Sequence, residues 1–551
     1  MGRRFAYDDP VDFAVVGSGA AGGIMAKELA EAGFNVVVFE QGPYLKASDF
    51  RHDELAHFVN QEWMGGNRGE HPQTFRQSVD EDAEPQDFPP PLLYARLVGG
   101  SSVHFTANFW RLRPVDFQER SLLGPIEGTG FADWPITYEE LEPYYTRVDW
   151  EIGVSGAPGP FDPPRSRPYP VPPLPIKSSG ALLEKGARKL GLHPQPAPMA
   201  ILSQPHNGRP GCIHCGFCML YGCEVGAKSS TLAAMIPLAE ATGRCEIRAE
   251  STVHKLETDD GGRVRRILYW DRDGVEDVQE ARAVVVCANG AETTRLLLMS
   301  ESARHPNGLG NSSGKVGKYL MFNGQPAAHG RFSHPLNEYK SASVTRIIHD
   351  FYESDPKRGF YGGGGIDARL MPGTPIWFGL AGLPQDTPTW GSEYKRKLGR
   401  YFNYTMTLAG HTTSLAVETN SVSLDPEVKD KFGRPALRTT YKDHVDDMKT
   451  AHFLNDRSRE ILEAAGAEEV WVPEYREQTL GVHLLGTCRM GDDPEESVVD
   501  RYHRSHDVRN LFICDGSSMV TSGRGQPTMT IMALAFRAAE HIAGFARRGE
   551  M

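Results

Sequence analysis

Val11-Asp12-Phe13-Ala14-Val15-Val16-Gly17-Ser18-Gly19-Ala20-Ala21-Gly22 is the stretch that decides the fold. Its first six residues, apolar but for Asp12, read as a short strand. Gly17, Gly19 and Gly22 follow at G-x-G-x-x-G spacing, and a helical pattern then runs through Met25, Leu29 and Ala32. A second strand-type run, Asn35 to Phe39, ends in Glu40. Strand, glycine turn, helix, strand and acid together are the dinucleotide fingerprint in its required context. The glycines permit a tight turn and close backbone approach, and the helix N-terminus faces a pyrophosphate. Glu40 at the end of the second strand is placed to accept hydrogen bonds from a ribose hydroxyl, and its charge repels a 2′-phosphate. This motif alone does not separate NAD from FAD.

The rest of the composition bounds the reading. The chain has 551 residues, 40% of them hydrophobic and 24% charged, which is globular material for more than one domain. Lys and Arg number 59 against 71 Asp and Glu, a net charge of −12. That balance argues against nucleic acid or an anionic membrane surface as the main partner, since both want a basic face. No apolar run approaches the roughly 18 residues of a membrane span. Arg3-Arg4 is followed by Tyr7-Asp8-Asp9 rather than an apolar stretch, so no export signal is expected in the chain itself. Eight cysteines are too few for a disulfide scaffold, yet four of them crowd into 212–223.

Further motifs follow in order. Arg96-Leu97-Val98-Gly99-Gly100-Ser101-Ser102-Val103-His104 is a second glycine-rich turn. Residues 284–299 read as a buried strand, a turn at Asn289-Gly290 and a helix. Near the C-terminus come His483-Leu484-Leu485-Gly486-Thr487-Cys488-Arg489-Met490-Gly491, a strand at Leu511 to Cys514 leading to Asp515-Gly516, and a helix from about 527 to 546. With these motifs in this order the sequence resembles the glucose–methanol–choline (GMC) flavin oxidoreductases over nearly its whole length. Asp133-Trp134-Pro135-Ile136 to Gly153-Val154-Ser155-Gly156 looks like the branch of sugar dehydrogenases and pyranose oxidases.

The resemblance implies an α/β fold with a Rossmann-like, discontinuous FAD-binding domain and an inserted antiparallel-sheet substrate domain. We expect 1–45, 92–156, 200–320 and 471–551 to form the FAD-binding domain. Residues 46–91 are expected as a lid or excursion, 157–199 as a connector with nine prolines in 157–175, and 321–470 as the substrate domain. FAD would be reached through Gly17, Gly19, Gly22 and Glu40. Gly99, Gly100, Ser101 and Ser102 would lie beside the isoalloxazine, with Asp515 and Gly516 at the phosphate and ribityl portion. His104 resembles the pyranose-oxidase histidine that is bonded covalently to the flavin, which leaves covalent and noncovalent FAD both open.

Alcohol oxidation at a flavin needs a base for the hydroxyl proton while the carbon's hydride moves to N5, and a neutral imidazole suits that task. His483 occupies the family's catalytic histidine position. The second family position is an Asn or His directly before Pro, and here Gln526 precedes Pro527. A glutamine amide both donates and accepts hydrogen bonds but does not titrate at neutral pH. Either Gln526 replaces that family residue, orienting substrate and leaving His483 as sole base, or one residue is missing here and Gln526 is only its neighbour, an ordinary loop amide. His411 and His452 could face the pocket, though surface or packing roles are expected of them, and Arg489 and Arg524 could meet substrate hydroxyls, though surface or backbone contacts are expected.

Cys212, Cys215, Cys218 and Cys223 follow C-x2-C-x2-C-x4-C spacing. Compact thiolate runs favour iron–sulfur clusters, whereas structural zinc takes two pairs separated by a longer loop. Some GMC sugar dehydrogenases hold a 3Fe–4S cluster in this region; three or four ligands, hence a 3Fe–4S or 4Fe–4S cluster, both stay open, as do zinc and unligated thiols in a buried turn. The leading expectation is an FAD-dependent dehydrogenase of a sugar or polyol. Electrons would pass through the cluster to a cytochrome c or quinone-linked partner, and a small companion subunit would carry the chain to the periplasm; without one the chain would stay cytoplasmic. The alternatives are an oxidase of pyranose or glycoside type, a hydroxynitrile-lyase-like flavoprotein without redox turnover, and a nonenzymatic electron carrier.

Overall fold

The computed structural model describes residues 5, 10–56, 70–86, 89–371 and 373–551. Its first sheet grows from the N-terminal fingerprint. Strand β1 (Val11–Val16), helix α1 (Gly22–Glu31) and strand β2 (Val36–Phe39) form a right-wound unit in which both strands are parallel and almost wholly buried. Runs buried on both faces are what a parallel sheet between helices requires. The strand Cys245–Arg248 extends the sheet beyond β2. On the other side β1 pairs with the second half of a long strand, Glu276–Val286, which in turn pairs with Leu511–Ile513. The first half of that long strand belongs to an antiparallel meander with Thr252–Thr258 and Val264–Trp270. The nucleotide-binding sheet is thus assembled from both ends and the middle of the chain. The C-terminal helix Pro527–Arg547 packs on α1 and on the helix Tyr138–Val148.

A second sheet has six strands, all antiparallel, in the spatial order Glu469–Trp471, Ala327–Arg331, Thr405–Thr412, Gly364–Arg369, Arg346–Ile348 and Gln195–Pro196. The side-chain period of two sorts its residues. Ile366, Ala368, Met406 and Leu408 join Leu454, Ile461 and Leu462 of the helix Val445–Ala465 in one apolar cluster. The intervening residues Asp367, Arg369 and His411 therefore sit on the opposite face, toward the first sheet.

The strand Thr405–Thr412 ends where its pairing with Gly364–Arg369 stops, and Thr413–Glu418 is irregular. Within the 46–91 excursion, 57–69 and 87–88 lie outside the described residues, but Gln73–Arg76 is no loose lid: it pairs in parallel with Pro435–Thr440. In the glycine run 362–365, Gly364 and Gly365 belong to the strand Gly364–Arg369, and Gly362 has the positive φ, +117.

Candidate active site

Both glycine turns line one cavity of about 460 Å³. Gly17 sits at φ +92, where a Cβ would lie 2.5 Å from the Cys287 carbonyl oxygen, so only glycine lets β1 pass into α1 this close to the central strand. The second turn packs on the first: a Cβ on Gly100 would meet Gly19 Cα at 2.8 Å, and Gly99 N–H donates to Ser18 Oγ over 3.0 Å. Ser101 and Ser102 lie in the short turn Gly100–Val103, where Ser101 Oγ accepts from Ala95 N–H at 3.0 Å and Ser102 Oγ donates to Gly99 O at 2.7 Å. His104 follows directly, 1% exposed, and lines the cavity.

Glu40, at the end of β2, also lines the cavity, and its carboxylate accepts from Ser18 Oγ at 2.7 Å and from Gly42 N–H at 3.1 Å. Burial pushes its carboxyl up despite these bonds. Gly22 does not appear in the wall, because its role is internal: a Cβ there would meet Gly17 O. Asp515 and Gly516 approach from the C-terminal part, with Asp515 accepting from Thr293 Oγ1 at 2.6 Å and Ser517 N–H at 2.8 Å. A cavity floored by two glycine turns, an acid and a second buried aspartate fits a dinucleotide cofactor.

His483 and Gln526 line the same cavity. His483 Nδ1 lies 2.9 Å from Asn323 Oδ1, and Asn323 Nδ2 donates to Thr412 O at 2.8 Å. The second bond fixes which end of the Asn323 amide faces His483. Since Oδ1 only accepts, Nδ1 carries the proton and Nε2 keeps its lone pair. Burial, with some help from His411, lowers the His483 imidazole to about 3, so the ring is neutral at neutral pH.

Three site residues carry no motif of their own in the sequence: Asn323, Asp367 and Arg369. His411 was expected at the surface or in packing, but it is 1% exposed and lines the cavity. Its Nε2 lies 2.7 Å from Asp367 Oδ2 and its Nδ1 2.9 Å from Gln526 Nε2. Arg369 Nε donates to Asp367 Oδ1 at 2.6 Å and Asn108 Nδ2 to Asp367 Oδ2 at 2.8 Å. The signal was present in Gly364-Gly365-Ile366-Asp367-Ala368-Arg369, where two charges alternate with apolar residues in one strand. His452 is exposed. Arg489 is buried and donates to the Gly130 and Glu496 carbonyls, a backbone role. Arg524 is neither at the surface nor a backbone clamp: it is fully buried between Asp116 and Glu119.

The cysteine loop forms another part of the wall through Met219 and Leu220. His214, Gly216 and Leu220 have φ of 57°, 91° and 66°, which coil the segment tightly. Backbone N–H groups of His214 and Lys228 point at the sulfurs of Cys212 and Cys223, each over 3.4 Å. Each of Cys212, Cys215 and Cys223 acts electrostatically on Cys218, and burial pushes the Cys218 thiol up to about 12. Lys228 Nζ is buried beneath them on the carbonyls of Cys218, Tyr221 and Phe105. Among the described residues, no three His, Cys, Asp or Glu side chains form a group that could hold a metal ion. Four cysteines thus crowd one loop beside the cavity wall, two of their sulfurs faced by backbone N–H groups and the Lys228 side chain beneath them.

Fold and site define the chain as a nucleotide-cofactor oxidoreductase with a half-buried imidazole at its cavity. It belongs to the GMC oxidoreductase family: the family's N-terminal signature matches residues 134–322 and its C-terminal signature 416–535, while a NAD(P)-binding Rossmann-like signature matches 15–72. The cofactor is accordingly FAD, and the reaction is oxidation of a CH–OH group. The chain is 36% identical to the 2-methyl-1,2-propanediol dehydrogenase of Mycolicibacterium austroafricanum, over 97% of this chain and 95% of that one. It is 28% identical to the fructose dehydrogenase large subunit of Gluconobacter japonicus, over 98% of both. Among solved structures, pyridoxine 4-oxidase from Mesorbium loti superposes with a TM-score of 0.66 at 19% identity, covering 96% of this chain and 98% of that one.

Proposed function

We propose that the chain is an FAD-dependent dehydrogenase of a sugar or polyol, with His483 as the base that takes the hydroxyl proton. The observation that carries this reading is the tautomer of His483: Asn323 holds its Nδ1–H, which leaves the Nε2 lone pair for the cavity. Gly17, Gly19, Glu40, Gly99 to Ser102, Asp515 and Gly516 would hold FAD, which when bound supplies the hydride acceptor. His104 is read as a wall residue rather than a tether. Acid precipitation is expected to leave the flavin in the supernatant, and flavin retained in the pellet would point to a bond through His104 instead.

The reading is tested by mixing the FAD-loaded protein anaerobically with a panel of sugars and polyols. Bleaching of the oxidised flavin bands by at least one of them is expected in the wild type, and near-normal bleaching in His483→Ala sinks the assignment of the base. No peroxide should accumulate in air; stoichiometric peroxide would turn the reading to the oxidase alternative.

Cys212, Cys215, Cys218 and Cys223 are proposed to hold an iron–sulfur cluster, which would supply one-electron acceptance beside the flavin site. A compact run of four thiols next to the cavity wall supports this, and anaerobically prepared protein with less than about one iron per chain refutes it. A small companion subunit and a cytochrome c or quinone-linked acceptor complete the proposal, with the periplasm as its place. The large-subunit relative supports a partner chain. Gel filtration of the chain expressed alone tests it, since a stable, FAD-loaded single-chain species counts against an obligate companion. No described helix is long and apolar enough to cross a membrane.

A further inference from the structure

His411 and Asp367 form a fixed chain of hydrogen bonds whose polarity can be followed from one end to the other. Asp367 is fully buried, and Arg369 beside it holds its carboxyl far below the usual carboxylate range, so it is ionised. An ionised carboxylate only accepts. His411 Nε2, 2.7 Å from Asp367 Oδ2, must therefore carry a proton. The 3.2 Å between Arg369 Nη2 and His411 Nε2 is then the approach of two donors to one carboxylate. Burial lowers the His411 imidazole despite Asp367, so the ring has no second proton at neutral pH and its Nδ1 is a lone pair. A lone pair 2.9 Å from the Gln526 amide selects the NH₂ end of that amide. Gln526 Oε1 is thereby turned away from His411. Among the described residues it has no protein partner, and the side chain lines the cavity.

We propose that Asp367 and His411 are positioning residues that lock Gln526 with its carbonyl oxygen toward substrate, so that the site selects alcohols bearing a second hydroxyl beside the one oxidised. The inference rests on His483 as the base. His483 Nε2 takes the proton of the reacting hydroxyl, and Gln526 Oε1 accepts a hydrogen bond from its neighbour, which stays protonated. Neither ring nitrogen of His411 is available as a base, since one donates to Asp367 and the other accepts from Gln526. The cationic Arg369 and anionic Asp367 offset each other, which suits an uncharged polyol better than a carboxylate-bearing one.

The test uses the holoenzyme and two pairs of probes. Pinacol and tert-butanol have no hydrogen on their carbinol carbons, so they report binding without turnover; propylene glycol and n-propanol report flavin reduction. In the wild type, pinacol should bind at least about tenfold more tightly than tert-butanol by NMR titration, because an unmet acceptor disfavours the mono-alcohol. Gln526→Leu and His411→Phe should both abolish that ratio, and His411→Asn, whose amide oxygen can stand in for Nδ1, should restore part of it. Propylene glycol should likewise lose its advantage over n-propanol in His411→Phe. A ratio near one in the wild type, or a ratio untouched by His411→Phe, overturns the proposal. So does a parallel loss with both members of each pair, which marks His411 as merely structural. Failure of the base assignment reads separately: His483→Ala would then reduce its flavin normally while the pinacol ratio stays intact.

Discussion

One ring nitrogen of His483 is held by Asn323 and the other is free, and burial lowers the ring to about 3. A solvated histidine would protonate as pH falls through 6.5, and a rate depending on it would fall in step. A histidine lowered to about 3 stays unprotonated across that range, so the second-order rate of flavin reduction is expected to show no acid limb near pH 6.5. Stopped-flow reduction between pH 8 and 5 checks this, and a limb at the ordinary histidine value contradicts the buried-base reading. His483→Ala should slow reduction by about 100- to 10,000-fold while FAD stays bound. Asn323→Leu removes the acceptor that sets the tautomer and should slow reduction about tenfold or more, the scale carried by outer partners of functional histidines. An Asn323→Leu enzyme as fast as the wild type would mean that Nδ1 finds its orientation elsewhere.

At the scale of elements, the loop 521–526 that delivers Gln526 to the cavity is held by its own buried ion cluster. Arg524 donates to Asp116, to Glu119 at 2.5 and 3.0 Å, and to Ser354 at 3.1 Å, while Tyr352 and Tyr361 donate to the same two carboxylates. Removing the cation leaves two carboxylates buried without it. Arg524→Met is expected to destabilise by about 3–5 kcal/mol, read from denaturant midpoints, and a change under about 1 kcal/mol would show that the loop stands without the cluster. In the second sheet, His329 on the strand Ala327–Arg331 lies buried against Trp471, with its ring lowered to about 4. Its folded value lies below its unfolded one, so the unfolded chain binds the extra proton. The contribution is full above pH 6.5 and lost as pH falls toward 4, amounting to about 2 kcal/mol by pH 5. His329→Gln should therefore show a shallower loss of melting temperature between pH 7 and 5 than the wild type; equal slopes would refute it. These elements also mark the limit of what the sequence made legible. The β1–α1–β2 unit is local, with its turn glycines, apolar runs and terminal acid inside thirty residues, and the structure follows it closely. The Asp367–His411–Gln526 chain depends on a strand register and on a loop over a hundred residues away. No periodicity in the sequence states which strand pairs with which. Only the alternating charges of Ile366-Asp367-Ala368-Arg369 hinted that a buried pair was being assembled.

For the whole molecule, the decisive fact is that the cavity proposed to hold FAD is walled by stretches far apart in the chain: 16–41, 93–106, 251–254, 287–299, 480–485 and 515–531 all contribute. No one stretch closes it, and the central strand Glu276–Val286 touches β1 on one side and the C-terminal strand Leu511–Ile513 on the other. A ligand that binds only the assembled cavity stabilises the fold by linkage, about 4 kcal/mol when its free concentration is a thousand times its dissociation constant. FAD should accordingly act as a clamp across the whole chain rather than as a guest of its first hundred residues. Stripping FAD under mild conditions is expected to lower the melting temperature by several degrees and to open cleavage sites near both the N-terminal and C-terminal walls in limited proteolysis. Adding FAD back should reverse both effects. ADP, which offers only the half that Gly17 and Glu40 are placed to hold, should recover part of the shift and protect the N-terminal wall more than the wall around 515–531. Identical melting of the stripped and loaded proteins would show that the two ends of the chain cohere without the cofactor, and that the cavity is preformed.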